Sequence, residues 1–265
     1  MMAASRRFAH FVMPASRAQG VASLLLAAVL WELTARYLIK SPILFVPLVA
    51  VFERAVALWQ AGELQPHIWI SFVEFLGGFL MAAVVGVAFG VAFSGSRLLR
   101  NFFEPWVSML YSTPIIALGP LFILWLGIGI GSKIAIIFLT AVFPILINTV
   151  TGLTTTERTL IEMTRSFGAS QAQIYAKVRL PAALPFIIAG LRLGVARALV
   201  GVVVAELFGA RAGLGFLIVS SAQSFDTAGL VVGVLILAFA GIGSVELLKW
   251  VERRLAPWRF QEDGQ

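Results

Sequence analysis

The chain contains no cysteine and only two histidines, His10 and His67, among its 265 residues. With no thiol, disulfide frameworks, cysteine nucleophiles and thiolate metal sites are excluded, and two distant histidines argue against a histidine-based metal centre. Charge is scarce as well. Asp, Glu, Lys and Arg together make up 12% of the residues, against about 25% in soluble domains. His-Glu-x-x-His, Gly-x-Ser-x-Gly and paired aspartates within an apolar run are all missing, which argues against an intramembrane enzyme. What fills the chain is apolar: 60% hydrophobic residues and a mean hydropathy of +0.95. A soluble globule of this length cannot hide that much apolar surface. Several windows reach the ~20 residues that cross a hydrocarbon core of ~30 Å. The expected class is an all-α polytopic membrane protein.

Six spans can be drawn, at about 20–39, 70–94, 102–126, 132–153, 186–207 and 228–249. Arg6, Arg7 and Arg17 before the apolar run resemble the start of a signal peptide, but no small-residue cleavage site follows and an uncleaved first span is preferred. The formal net charge of +7 reads as orienting loop charge rather than as a nucleic-acid surface. With the N-terminus in the cytoplasm, the inner segments hold Arg6, Arg7, Arg17, Arg97, Arg100, Arg158, Arg165, Lys177, Arg179, Lys249, Arg253, Arg254 and Arg259. The outer ones hold only Arg36, Lys40, Arg54, Lys133 and Arg211. That 13 to 5 imbalance favours both termini inside. The organisation is a tail at 1–19, one transmembrane domain at 20–250 and a tail at 251–265.

Pro42, Pro47 and Pro66 punctuate the first outer segment, where Phe52, Val56 and Trp59 recur at helical spacing, so an amphipathic or re-entrant connection, lying on the outer surface, is expected. Pro105, Pro114, Pro120 and Pro144 interrupt the third and fourth spans, and Gly127, Gly129 and Gly131 crowd their connection. Kinks or broken helices are expected there, either lining a pathway or packed in the ordinary way. In the second span Gly78, Ala82, Gly86, Gly90 and Ser94 form a smooth stripe. Small residues every fourth position let helix backbones approach, within the chain or, less simply, between subunits.

The polar island at 162–185 separates two hydrophobic runs, and the charge count puts it inside. Thr154-Thr155-Thr156-Glu157 reads as a helix start, Gly168 as a turn, and Ser170-x-x-Gln173 as a capping box. Ile174, Tyr175 and Val178 make an apolar stripe on a second helix ending before Pro181. Such a helical hairpin suits either a groove on a soluble partner or an anionic lipid surface, and physical reasoning alone leaves both open.

The spacing resembles the cytoplasmic loop of binding-protein-dependent ABC importer permeases: Glu-Ala-Ala, three residues, Gly, nine residues, Ile-x-Leu-Pro. Here it reads Glu162-Met163-Thr164, Gly168, then Val178-Arg179-Leu180-Pro181. Met163 and Thr164 replace the alanines and Val178 the isoleucine, changes of size rather than of charge or turn. The likeness covers nearly the whole chain and is to the nitrate, sulfonate and taurine branch. It is carried by His67 before Ser71-Phe72 and Gly78-Phe79, by Ser112-Thr113-Pro114, Leu118-Gly119-Pro120, Trp125-Leu126-Gly127-Ile128-Gly129, Phe143-Pro144-Ile145, Gly190-Leu191-Arg192, Ala205-Glu206 and Gly213-Leu214-Gly215. Glu74 departs from it, standing where arginine is expected.

The resemblance implies a type I ABC importer permease fold and one half of a homodimeric pore in a bacterial inner membrane. It also implies an extracytoplasmic solute-binding protein, and a separate ATPase dimer that binds ATP and Mg and docks on a coupling loop at about 154–185. Loop residues so implied are Glu162, Met163, Thr164, Gly168, Ala169, Ile174, Val178, Leu180 and Pro181. No cofactor is expected in this chain: Gly127-Ile128-Gly129-Ile130-Gly131-Ser132-Lys133 only superficially resembles a phosphate loop, because Ser precedes Lys.

Asn148, Arg192, Arg197 and Glu206 lie inside predicted spans and are the candidates for lining a pathway, with helix bridging or snorkelling as the plainer explanation of each. The solute expected is a small anion such as nitrate, a sulfonate or taurine. An ATP-independent secondary transporter or channel is the alternative, although it explains neither the loop spacing nor the lack of repeated halves.

Overall fold

A computed structural model describes residues 17–39 and 41–256, so Arg6, Arg7, His10, Lys40, Arg259 and most of both proposed tails lie outside the described residues. The helices are α1 (Arg17–Leu33), α2 (Leu48–Gln60), α3 (Leu64–Gly95), α4 (Arg97–Ser112), α5 (Gly119–Leu126), α6 (Ile130–Thr154), α7 (Arg158–Ser166), α8 (Gln171–Ile174), α9 (Leu180–Leu207), α10 (Leu214–Gln223) and α11 (Thr227–Leu255). Among the described residues five helical segments are long and apolar enough to cross a membrane, and α4 with α5 makes a sixth only as a broken span bent by 83°.

The bend sits at the prolines. Thr113 and Pro114 are extended, a short 3-10 turn covers Ile115–Leu118, and Pro120 falls in the first turn of α5, where its missing N–H is no loss. Pro105 and Pro144 are instead carried inside α4 and α6.

Helix α6 is the centre of the bundle and packs between α3 and α9. Both neighbours present glycine to it. A Cβ on Gly78 would meet Ile137 Cγ2 at 2.5 Å, one on Gly86 Ile145 Cγ2 at 2.9 Å, and one on Gly90 the Thr149 Cβ at 2.5 Å. From the other side, Gly190, Gly194 and Gly201 of α9 face Asn148, Ile145 and Thr140. The stripe on the second span therefore packs within the chain. Ala82, Ile137, Ala141, Val142, Ile145, Ala198 and Val202 form the core where the three helices meet.

At one end α2 lies against α11, and its Val51 and Leu58 are buried in one cluster with Leu217 of α10 and Val232 of α11. Phe52, Val56 and Trp59 occupy its exposed face. An Arg54–Asp226 ion pair at 2.7 Å and a hydrogen bond from Thr227 Oγ1 to the Ile43 carbonyl fasten this end. The helix α10 was not expected. Ten residues are too few to span, and its apolar run is indistinguishable in sequence from the flank of a span.

Candidate functional sites

At the opposite end from α2, α7 and α8 form the expected hairpin, with two corrections. The threonines do not start α7: α6 runs through Thr154, Thr155 N–H closes onto the Thr151 carbonyl, and Glu157 precedes α7 without a side-chain cap. The hydroxyls of Thr154 and Thr155 bond back four residues to carbonyls of α6 and so are not available to cap the start of α7.

Nor does the second helix end before Pro181. A wide turn at Tyr175–Arg179, closed by Leu180 N–H on the Tyr175 carbonyl, absorbs the proline, and the helical segment Gln171–Leu207 runs on for 37 residues. The rest stands as expected. Gly168 turns with φ +82°, and Ser170 and Gln173 exchange both bonds of a capping box.

Burial sorts the loop residues into two groups. Ile174 is 1% exposed and packs within the chain, so it anchors the hairpin. The Tyr175 hydroxyl reaches α3, bonding Ser94 Oγ at 2.8 Å and the Val91 carbonyl at 3.2 Å. Val178, Ala169, Thr164 and Pro181 are half-buried, while Gly168 and Leu180 are exposed. On α7, Leu160, Met163 and Phe167 form an apolar row at helical spacing, and Phe167 is 84% exposed. Glu162 stands beside that row and pairs with Arg158 at 2.9 Å. The outward apolar row is thus on α7, whereas the stripe singled out on the second helix turns partly inward.

Tyr175→Phe is expected to cost about 1 kcal/mol. The double variant with Ser94→Ala should cost less than the two single changes added together, because both remove the bond between Ser94 and Tyr175. Thermal unfolding midpoints of the three variants in detergent check this, and full additivity would contradict the tie between α8 and α3.

The four pathway candidates separate in the same way. Asn148 donates to the Pro144 carbonyl at 2.8 Å beneath Gly190. Arg192 pairs with the buried carboxylate of Glu252, joining α9 to α11. Arg197 is exposed on α9.

Glu206 is 1% exposed and terminates α9 in a dense polar cluster. Its Oε1 accepts from Ser71 Oγ at 2.5 Å, and its Oε2 accepts the N–H groups of Gly215 and Phe216 in the first turn of α10. Leu214 N–H donates to Ser71 Oγ at 2.7 Å and Gly213 N–H to His67 Nδ1 at 3.0 Å. Gly213 has φ +127°, and a Cβ there would strike the carboxylate. The site therefore caps the orphan amides of a helix start with a carboxylate from another helix. Ser71 and His67 carry part of the family resemblance, but their bonding is not legible in the sequence because their partners are over 130 residues away.

A family model described as the binding-protein-dependent transport system inner membrane component matches residues 78–258. The chain belongs to that family. The permease is 36% identical over 219 residues, 83% of this chain and 78% of the relative, to a putative aliphatic sulfonates transport permease protein, SsuC, of Bacillus subtilis (strain 168). It is 29% identical over 243 residues, 90% of this chain and 88% of the relative, to the taurine transport system permease protein TauC of Escherichia coli (strain K12). Its fold matches the inward-facing MetNI methionine ABC transporter with a TM-score of 0.60 at 20% identity, covering 71% of this chain and 93% of that one. The permease is a multi-span transport subunit of an ABC importer, and its role is transport rather than catalysis.

Proposed function

We propose that α7 is the surface on which a separate ATPase dimer docks, and that this permease works as a homodimer fed by an extracytoplasmic binding protein. ATP and Mg belong to the ATPase. The observation that carries the reading is the exposed row Leu160, Met163 and Phe167 on a hairpin continuous with a membrane helix. At 1.5 Å per residue the 37-residue segment is about 55 Å long, well beyond a hydrocarbon core of ~30 Å. Its surplus is a stiff arm outside the bilayer.

Movement of a groove that holds α7 then passes through the Gly168 turn into the Gln171–Leu207 segment and so to α9, and reaches α3 through Tyr175 and Ser94. In this reading the hairpin and both termini face the cytoplasm of the inner membrane, and α2 and α10 face the binding protein. The solute is a small anion of the nitrate, sulfonate or taurine kind. Arg197, exposed on α9, is the side chain that would meet it, whereas Asn148 bonds back within α6 and Arg192 and Glu206 hold helices together.

The tagged permease, purified from its own membranes in mild detergent, should bring an ATP-hydrolysing subunit with it. Gly168→Pro should abolish that recovery, because proline is locked near φ −65° and position 168 needs φ +82°. Size-exclusion profiles of wild type and variant show whether the bundle itself survives. Failure to recover any ATPase with the intact wild type would overturn α7 as the docking surface.

A further inference from the structure

Glu74 and Lys133 have no part in the reading above, yet they are buried beside Glu206. Glu74 is 2% exposed on α3, and its Oε1 accepts from Lys133 Nζ of α6 at 2.7 Å. Its other oxygen, Oε2, is buried and meets no N–H or O–H among the described residues. What lies within hydrogen-bonding reach of the Glu74 side chain is the carboxyl of Glu206. Two acceptors facing each other with no hydrogen between them repel, and the burial of both removes the water that would separate them.

The remaining groups around the pair do not restore balance. From α6 comes the single ammonium of Lys133; from α10 come the neutral amides of Gly215 and Phe216. From α3 comes His67, whose Nδ1 is occupied as an acceptor from Gly213 N–H, so its proton sits on Nε2 in the neutral ring. Two carboxylates against one lysine leave a buried negative charge, which is expensive when unpaired. A single proton removes the excess charge and supplies the hydrogen that Oε2 lacks.

We propose that Glu74 and Glu206 hold one proton between them at neutral pH, with Lys133 balancing the charge that remains. The ligand is a proton, bound where α3, α6, α9 and the start of α10 converge. With it, the two carboxyls join α3 to the end of α9; without it, like charges press them apart and load the turn between α9 and α10. The site stands or falls independently of ATPase docking.

Infrared spectra of the full chain in lipid nanodiscs test this. At neutral pH the wild type should show a protonated-carboxyl stretching band that shifts down in deuterated water. Glu74→Gln and Glu206→Gln should each lose it, because the carboxylate that remains has Lys133 to itself. Lys133→Met should double its intensity, both carboxyls then being neutral. The absence of such a band in the wild type overturns the proposal without any variant, and so does a band that persists in both glutamine variants. Should a variant fail to fold, the wild-type band must still vanish on alkaline titration above the ordinary carboxylate range; a band lost within that range would equally overturn the shared proton.

Discussion

Gly78→Leu is expected to prevent recovery of folded permease. The first added carbon already falls 2.5 Å from Ile137 Cγ2 and 3.2 Å from the Ile134 carbonyl oxygen, and neither can give way. Ile137 is fully buried and β-branched, with one preferred rotamer in a helix, and the carbonyl belongs to the backbone of α6. Relief requires separating α3 from α6 along their contact, which also parts Gly86 from Ile145 and Gly90 from Thr149. Overpacking a core typically costs ~1–3 kcal/mol; a clash against backbone in the central helix pair belongs at or beyond the top of that range. Gly78→Ala, which adds one carbon only, should fold with a lowered midpoint. Gly20→Leu, on α1 with nothing within 4 Å, should leave the midpoint unchanged. Fluorescence-detected size exclusion followed by thermal denaturation in detergent ranks the three, and a monodisperse Gly78→Leu with a wild-type midpoint would contradict the packing.

The reason that stripe was readable in the sequence is that its cause is local in period. A residue every fourth position faces one way on any helix, so Gly78, Ala82, Gly86 and Gly90 announce a close approach without naming the partner. The capping box of Ser170 and Gln173 and the turn at Gly168 are readable for the same reason, since the groups involved lie within a few residues. Expectations failed where a local signal met a second local solution. Proline at 181 signals a stop, but one extra residue in the turn before it lets the helix continue. The threonines at 154 and 155 look like caps for α7, but their hydroxyls serve α6. The Glu206 cluster was visible only as isolated letters. Its meaning depends on α3 and α10 arriving at the end of α9, and nothing in the spacing of Ser71, Glu74, Lys133 and Glu206 encodes that meeting.

The same cluster yields the second large effect, in Glu206→Ala. Truncation leaves the N–H groups of Gly215 and Phe216 without an acceptor, in a turn where the helix supplies none. It also removes the acceptor of Ser71 Oγ and the group facing Glu74. Each buried polar group left unsatisfied costs ~1–3 kcal/mol, and removing one member of a buried charged set costs ~3–5 kcal/mol. The loss should therefore reach several kcal/mol and be concentrated at the start of α10. Glu206→Gln keeps an acceptor oxygen for the amides and should lose far less. Amide hydrogen exchange distinguishes this from general destabilisation. In Glu206→Ala the amides of 213–217 should exchange much faster while those of 136–146 in α6 stay protected, because α6 is held by α3 and α9 and not by this cap. Uniform loss of protection across both segments would mean that Glu206 supports the whole bundle; unchanged protection at 213–217 would mean that the amides find other acceptors and that the carboxylate is not their cap.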